Sequence, residues 1–90
     1  MTKAELVNVI AIQTGLDKTT ILNVVESAMQ NIKKSLAEGE NVYLRGFGSF
    51  ITKRRAQKIA RNISKNTSVI VPAHTIPAFK AAREFTEALR

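Results

Sequence analysis

The sequence of 90 residues contains no cysteine and no tryptophan, and it has only two prolines and one tyrosine. Without cysteine the chain cannot form a disulfide or a zinc site with thiolate ligands, which is consistent with a reducing cytoplasm. No apolar run approaches the roughly 18 residues of a membrane-spanning helix, and the N-terminus lacks the charged leader and apolar centre of a secretory signal. We therefore expect a cytoplasmic protein that does not associate with a membrane.

Acidic residues are absent from a long central part of the chain. Residues 41–83 contain nine lysines and arginines and no Asp or Glu, whereas residues 1–40 contain four cations and five acids. The formal net charge of +7 is therefore concentrated in one region rather than scattered over the chain. Such a concentration favours binding to nucleic acid over a basic surface that serves only solubility.

The basic region has the pattern of a β-hairpin, here termed the arm, which lies between Gly46 and Pro77. Its outward strand, from Phe50 to Asn62, would extend about 40 Å at the usual rise per residue, whereas a compact small domain is about 30 Å across. The arm is therefore expected to project from the body of the protein, and its charge predicts that it projects towards a polyanion. Six cations lie in it without a neighbouring acid: Lys53, Arg54, Arg55, Lys58, Arg61 and Lys65.

Two amphipathic helices are predicted before the arm. Thr2 and Glu5 have the spacing of a capping box at the start of the first helix, which Gly15 can close in a left-handed conformation. Asp17 is the predicted N-cap of the second helix, whose apolar residues recur at helical spacing from Ile21 to Leu36. The predicted buried face of the first helix consists of Leu6, Val9, Ile10 and Gln13.

Two helices joined at a glycine also resemble a helix-turn-helix motif, which reads base edges with the outer face of its second helix. That face here carries Asn23, Ser27, Gln30 and Asn31 with Glu26 among them, and the positive charge lies elsewhere in the chain. We therefore interpret the helical hairpin as a core and dimer scaffold rather than as a base-reading element.

The segment that leads into the arm contains two glycines and two phenylalanines. Val42 and Leu44 mark a short strand, and Gly46-Phe47-Gly48-Ser49-Phe50 follows it. A phosphate-binding loop is the alternative interpretation, but the segment lacks a third glycine and opens no helix. We predict a tight hairpin in which Phe47 and Phe50 turn into the core.

Both prolines lie on the returning side of the arm. Pro72 cannot donate to a strand ladder, so it is expected at an edge or a bulge. Pro77 fits the first turn of a last helix, predicted over residues 78–89. One face of that helix would consist of Phe79, Ala82, Thr86 and Leu89, with Phe85 adjoining.

These elements predict one α+β domain over residues 1–90. Its parts are a two-helix base over residues 2–38, a three-stranded antiparallel sheet with the long arm over residues 41–76, and the C-terminal helix. Because so small a body buries little apolar surface alone, an intertwined dimer is expected.

Three motifs and the order of elements carry a family resemblance. They are Gly46-Phe47-Gly48-Ser49-Phe50, Arg61-Asn62 at the tip of the arm, and Ile76-Pro77-Ala78-Phe79-Lys80. Over all 90 residues the chain resembles the HU/integration host factor family of bacterial histone-like DNA-binding proteins, and HU more than integration host factor. The motifs are specific in combination, although each is weak alone.

The resemblance implies an intertwined dimer whose two arms embrace duplex DNA in the minor groove and bend, wrap and compact it in the bacterial nucleoid. It implies a homodimer, with a heterodimer with a paralogue as the alternative, and a preference for bent, nicked or distorted DNA. By position, Phe47, Phe50 and Phe79 would form the aromatic dimer core. The residues that match DNA-binding positions of the family are Lys3, Lys53, Arg55, Lys58, Arg61, Lys80 and Arg83. We predict as further DNA-binding residues Arg45, Arg54, Asn62, Ile63, Lys65 and His74.

The tip of the arm departs from the family pattern at two positions. Ile63 stands where the family usually has Pro, and Asn66 stands where it has Gly. Asn accepts a left-handed backbone more readily than other residues with a side chain, so the predicted turn is retained. Ile63 either is an incidental exposed aliphatic residue or acts as a wedge between base steps, and we favour the wedge.

Other function classes remain to be weighed against a DNA bender with little sequence preference. A site-specific protein similar to integration host factor, or a basic RNA-binding or structural protein, would share the charge pattern. No enzymatic activity, metal or cofactor is expected, because the single histidine, His74, has no acid near it in sequence. Ser49, Ser64 and Ser68 could serve as nucleophiles only if folding built a dry pocket around them.

Overall fold

The computed structural model describes residues 1–62 and 67–90, and of residues 60–62, 67 and 69 it describes the backbone only. The described part contains two helices, a set of antiparallel strands and a short last helix, which confirms the predicted α+β class. The elements are α1 (Lys3–Thr14), α2 (Lys18–Ala37), β1 (Val42–Leu44), β2 (Gly48–Arg55), β3 (Lys58–Asn62), β4 (Thr67–Val71), β5 (His74–Ala81) and α3 (Arg83–Ala88). No helix in these ranges is both long and apolar enough to cross a membrane.

The ends of the first two helices form as their capping residues predict. The hydroxyl of Thr2 accepts a hydrogen bond from the backbone N–H of Glu5 at 3.2 Å, and the carboxylate of Asp17 accepts one from the N–H of Thr20 at 3.2 Å. Gly15 ends α1 with a φ of 73°, a left-handed conformation that glycine adopts without steric cost. These local signals are sufficient to fix where α1 ends and α2 begins.

The face of α1 that packs on α2 differs from the predicted one. Val7 and Ala11 of α1 are buried together with Ile21 of α2, and Ile10 packs beside them. Leu6 belongs to the predicted face but is 42% exposed. Of the predicted face, Ile10 packs against this cluster, whereas the buried positions are taken by Val7 and Ala11, each one residue further along the helix than Leu6 and Ile10.

Strands β1, β2 and β5 form a three-stranded antiparallel sheet with β2 in the centre. Val42 of β1 and Phe79 of β5 both lie opposite Phe50 of β2. The outer part of the arm is a separate two-stranded sheet of β3 and β4, in which Lys58 lies opposite Val71. The predicted three-stranded sheet is thus confirmed, and the arm continues from its two longest strands.

Each side of the arm is interrupted once, so the predicted continuous strand from Phe50 to Asn62 is wrong in this detail. Ala56 and Gln57 separate β2 from β3, and Pro72 and Ala73 separate β4 from β5 on the other side. Pro72 lacks the N–H that a ladder needs, and its place between two strands agrees with the predicted irregularity.

The last helix is shorter than predicted. Residues 78–81 belong to β5, and α3 covers only Arg83–Ala88 instead of 78–89. β5 is an edge strand, where the missing N–H of Pro77 is tolerated. Its eight residues pair with β2, and this non-local pairing prevails over the helical spacing of Phe79 and Ala82.

All four phenylalanines form one cluster. The Phe79 ring lies 5.2 Å from that of Phe47 and 5.0 Å from that of Phe50, and Phe85 lies 5.2 Å from Phe47, measured between ring centroids. Phe47 and Phe50 pack in this cluster as predicted, but Phe47 is still 47% exposed. The four rings therefore contact one another within one chain, but the rest of that chain does not cover them.

The molecule is elongated. Its principal extents are 56 × 33 × 29 Å and its radius of gyration is 18.5 Å. A compact chain of this length would have a radius of gyration of about 12 Å. The difference confirms that part of the chain projects from the body, as the length of the arm predicts.

Replacing Gly48 by alanine is expected to destabilise the fold. A Cβ at this position would lie 2.5 Å from Cζ of Phe79 and 2.6 Å from the carbonyl oxygen of Lys80, which is part of the β5 backbone. Overpacking of this kind costs about 1–3 kcal/mol, so the melting temperature should fall by several degrees relative to the neighbouring Ser49→Ala variant. Equal melting temperatures for the two variants at one protein concentration would show that β5 can move away.

Candidate nucleic-acid interface

The three-stranded sheet has two faces of different chemistry. Successive residues of a strand point to opposite faces, and residues directly opposite each other in a ladder share a face. Phe50 and Phe79 lie on one face, which also contacts α2. The other face, here termed the basic face, carries Tyr43, Ser49, Ile51, Lys53, Arg55, His74, Ile76, Ala78 and Lys80.

Three predicted DNA-binding cations share the basic face. Lys80 lies opposite Ser49 near one end, and Lys53 and Arg55 lie near the end where the arm begins. The six steps from Ser49 to Arg55 span about 20 Å at the usual rise of a strand. All three cations are exposed, and no acid occurs in β1, β2 or β5. The basic face is therefore a strip of positive charge that continues into the arm.

Arg54 is separated from this group. It lies between Lys53 and Arg55 in sequence, so its side chain belongs to the opposite sheet face, across from Thr75. Lys53, Arg54 and Arg55 are consecutive in sequence and would be counted as one basic group. The strand geometry places only Lys53 and Arg55 on the basic face.

A shallow cleft of about 540 Å³ lies at the end of the basic face that is remote from the arm. Arg45 follows β1, Arg83 opens α3, and both line this cleft together with Lys80, Ser49 and Tyr43. The Nε of Arg83 donates a hydrogen bond to Glu87 at 3.0 Å. An arginine has five N–H donors, so this bond leaves the guanidinium able to hold an anion.

Lys3 lies apart from the sheet residues, on the helical base. Its ammonium group forms an ion pair with the carboxylate of Glu26, which joins the start of α1 to the middle of α2. The pair is half exposed, and exposed ion pairs contribute little to stability. Lys3 therefore remains able to exchange this partner for a phosphate.

In the outer part of the arm, β3 and β4, the described side chains include one cation and an apolar pair. Lys58 is exposed on β3, and Ile59 lies directly opposite Ile70 with exposed fractions of 72% and 63%. The sequence analysis did not identify this pair as a candidate contact. The signal that could have identified it is the occurrence of two apolar residues in an otherwise hydrophilic hairpin. The backbones of Arg61 and Asn62 belong to β3.

The predicted site residues at the tip cannot be compared with the structure. Ile63 and Lys65, and the turn residue Asn66, lie outside the described residues. Their assignment rests on the sequence alone.

His74 is an exposed residue of the basic face, opposite Arg55. Its Nδ1 lies 2.9 Å from the carbonyl oxygen of Pro72. Because a carbonyl can only accept, Nδ1 donates in this bond, and Nε2 remains for an external partner. Within residues 1–62 and 67–90 there is no group of three or more His, Asp or Glu side chains that could hold a metal ion.

Comparison with known proteins gives consistent matches over the full length. The family model described as "Bacterial DNA-binding protein" matches residues 1–90. The chain is 37% identical over 90 residues to DNA-binding protein HU of Staphylococcus aureus, with all of both chains covered. It is 40% identical over 88 residues to integration host factor subunit beta of Marinobacter nauticus, covering 97% of this chain and 90% of that protein.

Solved structures share the fold, among them the following two. The chain in a cocrystal structure of Anabaena HU with DNA matches with a TM-score of 0.94 and 34% identity, over 99% of this chain and 97% of that one. HU from Thermotoga maritima matches over the whole of both chains with a TM-score of 0.71 and 24% identity. The latter similarity is one of fold alone.

Proposed function

The chain belongs to the family of bacterial DNA-binding proteins, and from this premise we propose that it is a non-catalytic architectural protein that binds and bends duplex DNA. One observation carries the proposal: Lys53, Arg55 and Lys80 share the sheet face that is free of phenylalanine, and this face leads into the arm. The HU–DNA cocrystal relative supports DNA as the polyanion. The protein would act on chromosomal DNA in the nucleoid.

The proposed contacts are to phosphates and the minor groove, with little sequence preference. Lysine and arginine on an extended ribbon bind sugar-phosphate walls, and phosphates carry no base identity. Arg45, Lys80 and Arg83 would hold phosphates at the body, and Lys53, Arg55 and His74 would follow the groove towards the arm. The arm itself would contribute Lys58, Arg61, Asn62 and Lys65, with Ile63 at the tip, and Lys3 would contact flanking DNA.

We propose that two copies of the chain form the functional unit. An apolar groove of about 910 Å³ lies between α2 and the phenylalanine face of the sheet, and Met29, Ile32, Leu36 and Phe50 line it. A second copy would cover this groove and present a second arm. A homodimer is the simplest form, and a heterodimer with a paralogue is the alternative.

A site-specific function is the second candidate, because integration host factor subunit beta is among the relatives. The two functions differ in the response to competing DNA. A site-specific protein would stay bound to one sequence in an excess of unrelated duplex. A protein that contacts mainly phosphates would be displaced from that sequence in proportion to the amount of unrelated duplex added.

The proposal is tested by measuring the affinity for duplex DNA, nicked duplex DNA and duplex RNA of equal length at two salt concentrations. We expect the order nicked DNA, intact DNA, RNA, with a steep loss of affinity at the higher salt concentration. Equal affinity for DNA and RNA would contradict an architectural DNA-binding function and support a general basic protein.

Ile63→Ala is expected to reduce the DNA bend. We propose that Ile63 enters a base step as an apolar wedge, which compensates for unstacking of a few kcal/mol by allowing more DNA to wrap the protein. Its branched side chain is stiff at χ1, so little rotamer freedom is lost on insertion. Energy transfer between dyes at the two ends of a duplex, at saturating protein, measures the bend. Wild-type transfer in the variant would assign bending to the cations alone.

A further inference from the structure

Tyr43 is an exposed aromatic residue on the basic face. It is the only tyrosine of the chain, and 72% of its surface is exposed. All four phenylalanines pack in the cluster on the other side of the sheet, so Tyr43 has no part in the aromatic core. A tyrosine ring left in solvent on a cationic surface offers a flat apolar face to a ligand.

Tyr43 is part of a row across all three strands. It lies opposite Ser49 on β2, which in turn lies opposite Lys80 on β5, so the three side chains share one face. The amide Nδ2 of Asn41 donates a hydrogen bond to the Tyr43 hydroxyl at 3.2 Å.

The surroundings of the ring are positively charged. Arg45, Lys80 and Arg83 line the same cleft of about 540 Å³, and no Asp or Glu is among its lining residues. An aromatic platform beside cations is the arrangement by which proteins hold single-stranded nucleic acid, because bases stack on the ring and cations bind the backbone. In an intact duplex both faces of each base are already stacked on neighbouring bases, and only an unpaired nucleotide has a face to offer.

We propose that Tyr43 is a stacking site for one unpaired nucleotide, whose phosphates are held by Arg45 and Lys80. The inference deepens the proposed function and rests on it: the basic face binds the duplex, and Tyr43 adds a preference for a bulge or gap within that duplex. Intact duplex gains nothing from the ring, which carries no charge for a phosphate.

The test compares the affinities of two duplexes of equal length, one intact and one with a single unpaired thymidine in its centre. Tyr43→Leu keeps an apolar side chain without a ring, and Tyr43→Phe keeps the ring without the hydroxyl. We expect Tyr43→Leu to bind the bulged duplex about tenfold more weakly than wild type and the intact duplex within about twofold of it. Tyr43→Phe should retain the wild-type preference.

Intrinsic fluorescence gives a second readout, because the chain has one tyrosine and no tryptophan. The bulged duplex should quench the emission of Tyr43 more than the intact duplex does, with both at saturation and corrected for absorbance. Equal quenching, or loss of affinity for both duplexes alike in Tyr43→Leu, would overturn the stacking site. If wild type binds neither duplex, the proposed function fails as well; if it binds both and Tyr43→Leu is unchanged, only the stacking site fails.

Discussion

Replacement of Arg55, Lys58 and Arg61 together by alanine is expected to weaken binding to every duplex sequence alike, by roughly a hundredfold or more at about 0.1 M salt. Each phosphate contact contributes about −0.9 to the slope of log affinity against log salt. Because the two arms of the proposed dimer together lose six cations, the slope should become shallower by up to about 5.4. Arg55 and Lys58 are exposed where the sheet leads into the arm, and Arg61 follows them along β3. Fluorescence anisotropy at four or more salt concentrations measures both quantities.

The control removes the same amount of charge from the helical base. Lys18, Lys33 and Lys34 all belong to α2, and their joint replacement by alanine should change the slope far less. A finer comparison uses the neighbours Arg54→Ala and Arg55→Ala, which remove one guanidinium each from opposite sheet faces. Equal losses from the two triple variants would mean that the binding surface is not the arm.

The features that could be predicted from sequence are those that depend on local chemistry. The caps at Thr2 and Asp17, the stop at Gly15 and the length of the arm each follow from a few adjacent residues. The charge of the arm is likewise independent of how the strands pair. These signals were enough to give the order of the first elements, whereas the position of the DNA interface stays a prediction.

The features that could not be predicted depend on pairing between distant residues. The segment after Pro77 has apolar residues at spacings that suit a helix as well as a strand, and its eight-residue ladder with β2 decides for the strand. The same register separates Arg54 from Arg55 and aligns Tyr43 with Ser49 and Lys80. Composition cannot show which side of a sheet a charge occupies, because one step along the strand reverses it.

The apolar surface of the chain points to a folding unit larger than one copy. Among the described residues, only Val7, Ala11 and Ile21 are buried hydrophobic residues, and all three lie between α1 and α2. Phe79, at the centre of the aromatic cluster, is 42% exposed. The sheet and α2 thus expose apolar surface that a monomer of this size could not leave in water and remain stable.

The melting temperature is therefore expected to depend strongly on protein concentration. If folding and dimerisation are one step, a hundredfold dilution removes about 2.7 kcal/mol of apparent stability, since each tenfold change is worth about 1.4 kcal/mol. For a dimer of this size that corresponds to a fall of about 5–10 °C. Thermal unfolding followed by circular dichroism across this dilution, with sedimentation at both ends, measures the effect.

Phe79→Ala should shift the equilibrium between folded dimer and unfolded chains further towards the unfolded chains. It removes the ring that contacts the other three phenylalanines. Truncating a core phenylalanine costs about 3–5 kcal/mol, and here both copies would lose it. Ile59→Ala is the matched control, since it shortens an apolar side chain that is 72% exposed on the arm and packs against no core. A monomeric mass together with a melting temperature that does not change across the dilution would contradict a dimeric folding unit. Equal melting temperatures for Phe79→Ala and Ile59→Ala would place Phe79 outside the dimer interface.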